Sequence, residues 1–294
     1  MNIIDELKHN FKKGNYLIKL IYANVAIFII MQLTSLVYWV FTKESLDNVF
    51  SAALAYPSNI TIFFHKPWTL LTYMFVHDMT AIWHLLFNML WLYWFGQIFL
   101  QYLDQKKLLS VYILGGFAGA LLYTLAYNIF PAFELERFGS VMVGASAAIM
   151  AVVIAIAAIV PNYTINIIFF GPVKLKYIAL ITFAIDLISI QTSNAGGHIA
   201  HIGGALFGFL YAKQHLKGKN ITAGFSKVLD NIFGLFKPRK RMKVTYKTPS
   251  DDFEYNKIKV DQQKEIDRIL DKIAKGGYNC LSKDEKDFLF KSSK

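Results

Sequence analysis

The run Val143-Gly144-Ala145-Ser146-Ala147-Ala148 opens a stretch, roughly 144–160, in which Ser146 is the one polar side chain. A second run further on, Ala200-His201-Ile202-Gly203-Gly204-Ala205-Leu206-Phe207-Gly208, sets a histidine in similar surroundings. Crossing the hydrocarbon core of a bilayer takes ~20 mostly apolar residues as helix. Six stretches of this kind can be read, at roughly 19–41, 81–102, 108–130, 144–160, 175–191 and 198–216. In lipid only a helix or a closed barrel satisfies its own backbone. The expected fold class is therefore all-α, a polytopic membrane protein with a bundle of six transmembrane helices. Polar reactive groups inside such spans are costly, so each is a candidate for function.

The net charge of +11 raises the question of a nucleic-acid partner. Its distribution points elsewhere. Lys8, Lys12, Lys13 and Lys19 precede the first stretch, Lys106 and Lys107 lie between the second and third, and Lys174 and Lys176 between the fourth and fifth. Most other basic residues follow the sixth. The alternate connections hold only Lys43, Lys66 and Arg137. This is the positive-inside pattern of a chain with both termini in the cytoplasm, as in a bacterial inner (cytoplasmic) membrane. The lipid bilayer is the expected partner, and nucleic acid is not. Cys280 is the single cysteine, so no disulfide framework forms within one chain. The sequons at Asn59, Asn162 and Asn220 read as chance matches.

Four segments follow along the chain. Residues 1–18 form a polar, basic cytoplasmic N-terminal segment, and 19–216 hold the six spans. Residues 217–260 read as a basic amphipathic linker: an apolar stripe from Phe225 to Phe236 is followed by a cluster from Lys237 to Lys243. Residues 261–294 read as a small cytoplasmic helical hairpin. There Ile266, Ile269, Leu270 and Ile273 recur with helical period, Gly276-Gly277 stops the helix, and Ser282 with Glu285 forms a capping box for the next. The connection 42–80 is rich in aromatic residues and reads as a structured segment at the outer interface.

Serine becomes a nucleophile when a base takes its proton, and histidine is the usual base. Ser146 and His201 lie on different predicted helices, so only the fold can bring them within the ~3 Å that proton transfer needs. Gly144, Gly204 and Gly208 suit a close helix crossing. His84 and Asn88, four residues apart on the second span, share a helix face. With the Ser146 backbone N–H they are candidate donors for an oxyanion. A metal site from His84, His198 and His201 is the competing idea. No carboxylate lies in the same layer of the second or sixth span and there is no HExxH pattern, so neither metal nor cofactor is expected. His77 reads as structural and His198 as a pore or interface residue, while Asp186 reads as a packing residue, with a cap or a hydrogen bond in the gap between the fifth and sixth spans as the other reading.

His84-x-x-x-Asn88, Gly144-x-Ser146 and Ala200-His201-x-x-Gly204-x-x-x-Gly208, in that order on the second, fourth and sixth spans, resemble the rhomboid intramembrane serine proteases. The resemblance covers about residues 20–216. It implies a Ser146–His201 dyad without an acid, and an oxyanion hole from His84, Asn88 and the Ser146 backbone. It also implies cleavage of transmembrane protein substrates within or next to a membrane-spanning segment. The chain departs from the family pattern at Thr69, where the family often has arginine, and at Ala147, where it often has glycine. Met150 stands where an aromatic ring commonly stacks on the histidine. The alternative implied by the same family is a rhomboid-like pseudoprotease that binds and escorts membrane proteins, although such members usually lack the serine or the histidine.

Overall fold

The computed structural model describes residues 14–167, 171–192, 194–235 and 252–292. The chain divides into two compact units, 1–236 and 237–294. Lys8, Lys12, Lys13 and the basic cluster 237–243 lie outside the described residues.

In the first unit, helix α1 (Tyr16–Thr42) starts where the Asn15 side chain accepts from the Ile18 N–H at 3.2 Å. The connection after it holds α2 (Asp47–Leu54), strand β1 (Tyr56–Pro57), α3 (Ile60–His65) and α4 (Thr69–Thr72). Next come α5 (Ile82–Tyr102) and α6 (Gln105–Ile129), the latter capped by Asp104, which accepts from the N–H groups of Lys106 and Lys107. Strand β2 (Val141–Met142) precedes α7 (Ser146–Ile159), and β3 (Thr164–Ile167) and β4 (Gly171–Lys174) precede α8 (Leu175–Ser189). Helices α9 (Ala195–Leu216) and α10 (Ala223–Leu235) complete the unit. Helices α1, α5, α6, α7, α8 and α9 fall on the six apolar stretches.

The fold is mostly helical but not wholly so. Two small antiparallel ladders, β1 with β2 and β3 with β4, sit in the connections. Backbone that leaves a helix still needs hydrogen-bond partners, and short ladders supply them. The first ladder ties the long connection to the segment entering α7, pairing Tyr56 with Met142 and Pro57 with Val141. That connection is built into the bundle, as its aromatic content suggested. Tyr73 and Met74 are fully buried, and the Tyr73 hydroxyl donates to the Gly116 carbonyl at 2.6 Å. Asn59 is buried too, with its side-chain oxygen engaged by the N–H groups of Thr61 and Ile62.

Helix α7 sits at the centre, packed by α9, α6, α5 and α8, with Ala147 to Val153 buried. Gly204 and Gly208 of α9 make the closest approach possible: a Cβ on either would collide with the carbonyl oxygens of Ala147 and Ala151. The outward faces are apolar as well. Ile30, Leu33 and Val40 of α1, Leu180 and Ile188 of α8 and Leu206 and Phe209 of α9 are all exposed. A helix apolar on every side belongs in a membrane or a large core. By length and hydropathy α1 and α6 qualify to cross a membrane on their own. Helix α7 has 14 residues, about 21 Å, and falls short of the ~30 Å hydrocarbon core. It is shorter than the stretch 144–160 because Gly144 takes φ +118° and turns the chain from β2 into the helix.

Within 217–260, α10 packs on the bundle. Ser226 hydrogen-bonds Ser110 at 2.8 Å, Phe225 meets the Phe117 ring edge-on, and Phe233 stacks on Tyr16. The second unit comprises α11 (Asp252–Gly276) and α12 (Lys283–Ser292). Gly277, at φ +73°, ends α11. The capping box forms: Glu285 accepts from the Ser282 N–H at 2.8 Å, and Ser282 Oγ accepts from the Glu285 N–H at 3.3 Å. Lys272 of α11 reaches the same Glu285 at 3.0 Å, joining the two helices.

Candidate active site

Ser146 is the first residue of α7, and no side chain caps that end. The leading N–H groups of a helix have no partner inside it and form the positive end of its dipole. The positive φ at Gly144 aims this end at a cavity of about 190 Å³ lined by Asn88, Trp91, Ser146, Met150, Asp186 and His201, among others. The fold thus brings Ser146 of α7, His201 of α9 and Asn88 of α5 to one space. Among the described residues no hydrogen bond joins Ser146 to His201; such contacts often tighten only when substrate binds. A larger apolar cavity between α7, α8 and α9 holds neither serine nor histidine.

Asn88 is buried, and its side-chain nitrogen has no hydrogen-bond partner. A buried donor without a partner costs roughly 1–3 kcal/mol. Here it lines the cavity beside Ser146, where an incoming oxygen would satisfy it. His84 is not among the residues that line this cavity; its ring lies against Gly144. A Cβ placed on Gly144 would sit 3.2 Å from His84 Nε2 and 3.7 Å from Ser146 Oγ, so the absence of a side chain at Gly144 is what lets the imidazole approach the serine. His77, expected to be structural, is buried with its ring edge-on to His84, centroids 5.3 Å apart.

The sequence singled out Asp186 but not its place in this site. Asp186 of α8 is buried, and its Oδ1 accepts from Nδ1 of His201 at 2.8 Å and from Nδ1 of His198 at 2.8 Å. A carboxylate only accepts, so each Nδ1 carries the proton. Asp186 therefore does more than pack or cap: it forms the hydrogen bond across the gap between the fifth and sixth apolar helices, and His201 has a carboxylate beside it. Nor is the layer free of carboxylates: the acid comes from the fifth apolar helix, which neither the second nor the sixth span revealed. The ligand atoms of Asp186, His198 and His201 lie within 4.8 Å of one another. The 2.8 Å contacts are hydrogen-bond distances, whereas ligands ~2.0–2.1 Å from a tetrahedral zinc stand roughly 3.3 Å apart.

A family model described as the rhomboid domain matches residues 65–218, just over half of the chain. The chain belongs to the rhomboid family. The matched region contains His84, Asn88, Ser146, Asp186 and His201. A curated relative, "RHOMBOID-like protein 12, mitochondrial" from Arabidopsis thaliana, is 26% identical over 160 residues, covering 51% of this chain and 47% of the relative. The chain thus spans about half the length of that rhomboid relative. Rhomboid membership carries membrane residence with it, while a bacterial inner membrane finds no support in these matches. Residues 250–294 match a family of unknown function (DUF6576), so the second unit of this rhomboid is a module with its own relatives.

Proposed function

We propose that this chain is an intramembrane serine endopeptidase that cleaves transmembrane proteins within or next to a membrane-spanning segment. The observation that carries the reading is the single cavity shared by Ser146, His201 and the unpartnered amide of Asn88. Helices α1, α5, α6, α7, α8 and α9 are the six spans, with both termini in the cytoplasm. Ser146 and His201 then lie near the outer leaflet, because α7 and α9 run in the same sense from that side.

In the reaction, Ser146 Oγ attacks the scissile carbonyl carbon while His201 Nε2 takes the hydroxyl proton. The carbonyl oxygen becomes an oxyanion, held by the Asn88 amide, by His84 and by the Ser146 backbone N–H at the helix N-terminus. Collapse of the intermediate breaks the C–N bond as His201 returns the proton to the leaving amine. Water then repeats the sequence on the acyl-enzyme and releases Ser146.

The test is to incubate the detergent-purified protein and its Ser146→Ala variant with a generic single-span substrate and to identify the products by mass spectrometry. Cleavage by the wild type alone supports the proposal. Capture of the substrate without cleavage by both proteins would establish the pseudoprotease instead.

A further inference from the structure

We propose that Asp186 is the positioning carboxylate of His201, so that this site works as a Ser146–His201–Asp186 relay. The inference rests on the protease reading above. A neutral imidazole can accept the serine proton at Nε2 only if its own proton sits on Nδ1. Nothing aromatic holds the ring from the α7 side, where Met150 lines the cavity. The Asp186 contact at 2.8 Å fixes both tautomer and ring direction. It also places a negative charge beside the imidazolium that forms during attack.

The surroundings of Asp186 concentrate this effect on one oxygen. Its side chain is 6% exposed, and Oδ2 is buried without a partner. Both histidines therefore converge on Oδ1, and the geometry assigns them different tasks. His201 lines the cavity with Ser146, and His198 does not. His198, one turn earlier on α9, is a second N–H donor that anchors the carboxylate.

Asparagine at position 186 keeps the shape but offers an N–H in place of a carboxylate oxygen, which favours the wrong tautomer of His201. In a serine triad the equivalent change costs ~10⁴ in kcat. Asp186→Asn should lower kcat at least ~10²-fold with KM within threefold, and should slow labelling of Ser146 by a fluorophosphonate in proportion. His198→Ala should lower kcat by less than Asp186→Asn does, because His201 keeps its bond to Oδ1. Spectra of ¹⁵N-histidine protein, with the His201 signals assigned through His201→Gln, should show the Nδ1–H tautomer in wild type and its loss in Asp186→Asn. The spectra need no substrate, so they decide the positioning role even if no protein is cleaved. Wild-type kcat in Asp186→Asn, or an unchanged His201 tautomer in that variant, would overturn the proposal. Loss of cleavage in the wild type with the tautomer change intact would instead overturn the protease reading.

Discussion

At the residue scale, chemistry is concentrated where polar atoms stand without partners in an apolar bundle. The Asn88 side-chain nitrogen is the clearest case, buried and unpaired beside Ser146. In the proposed reaction it would stabilise charge that exists only in the transition state, and removing one such donor typically costs ~10²–10³ in kcat. Asn88→Ala should therefore lower kcat by that order while KM changes little in steady-state assays of the purified protein; a pure KM effect would assign Asn88 to substrate placement. Ser146, His201, His84 and Asn88 were all legible in the sequence, because each interrupts an apolar run and glycines flank the first two. Asp186 was read as packing, with a hydrogen bond between the fifth and sixth spans as the other reading, and its partner His201 was not seen. A lone acid near a helix end has a ready local explanation, and only the packing of α8 against α9 shows that it meets two histidines. One signal was available: Asp186 is the single charged residue between Lys176 and Lys213. A carboxylate so isolated, with two histidines following, asks for a partner.

At the element scale, the six main helices were legible from hydropathy, whereas the caps at Asn15, Asp104 and Asn194 that begin three of them emerged only with the structure. The short ladders were not, since two-residue strands have no period to read. Small residues at 204 and 208 announced a close crossing, and the structure makes the approach so tight that no side chain fits at Gly204. Gly204→Val should push α9 away from α7 and cost at least the ~1–3 kcal/mol of ordinary overpacking. A lower thermal midpoint together with lost Ser146 labelling would show it; unchanged values would mean the helices repack. In the second unit, the Ser282 N–H and then Lys272 pull the Glu285 carboxyl down to about 2. A carboxyl lowered by folding stabilises the folded form above its ordinary value of 4.5, and this contribution fades as pH falls toward 2. The hairpin should therefore lose helicity across that window, followed by circular dichroism, and Glu285→Gln should remove that part of the acid dependence.

At the scale of the whole molecule, the reactive groups and the tail belong to different parts of the chain. Ser146, His201, His84, Asn88 and Asp186 all lie within the rhomboid match, and the match to the second family begins beyond α10. Where to cut is decided by α10. The apolar stripe there read as part of an amphipathic linker, and in the structure Phe225, Ser226 and Phe233 are engaged with α6 and α1. Lys106 also reaches Asp230 at 2.7 Å, although both side chains are about half exposed and such a solvent-screened pair contributes little. Removing α10 would strip these rings from the bundle and expose Phe117 and Tyr16. Truncation after Phe236 should leave cleavage of a generic substrate in detergent within a few-fold of the full chain, because no reactive residue is lost. Truncation after Lys219 should keep Ser146 and its partners but lower the thermal midpoint, with activity falling as the folded fraction falls. Both chains can be compared by Ser146 labelling per folded molecule. If the chain ending at Phe236 is folded yet takes no label, the second unit contributes to the catalytic site and this division of the molecule is wrong.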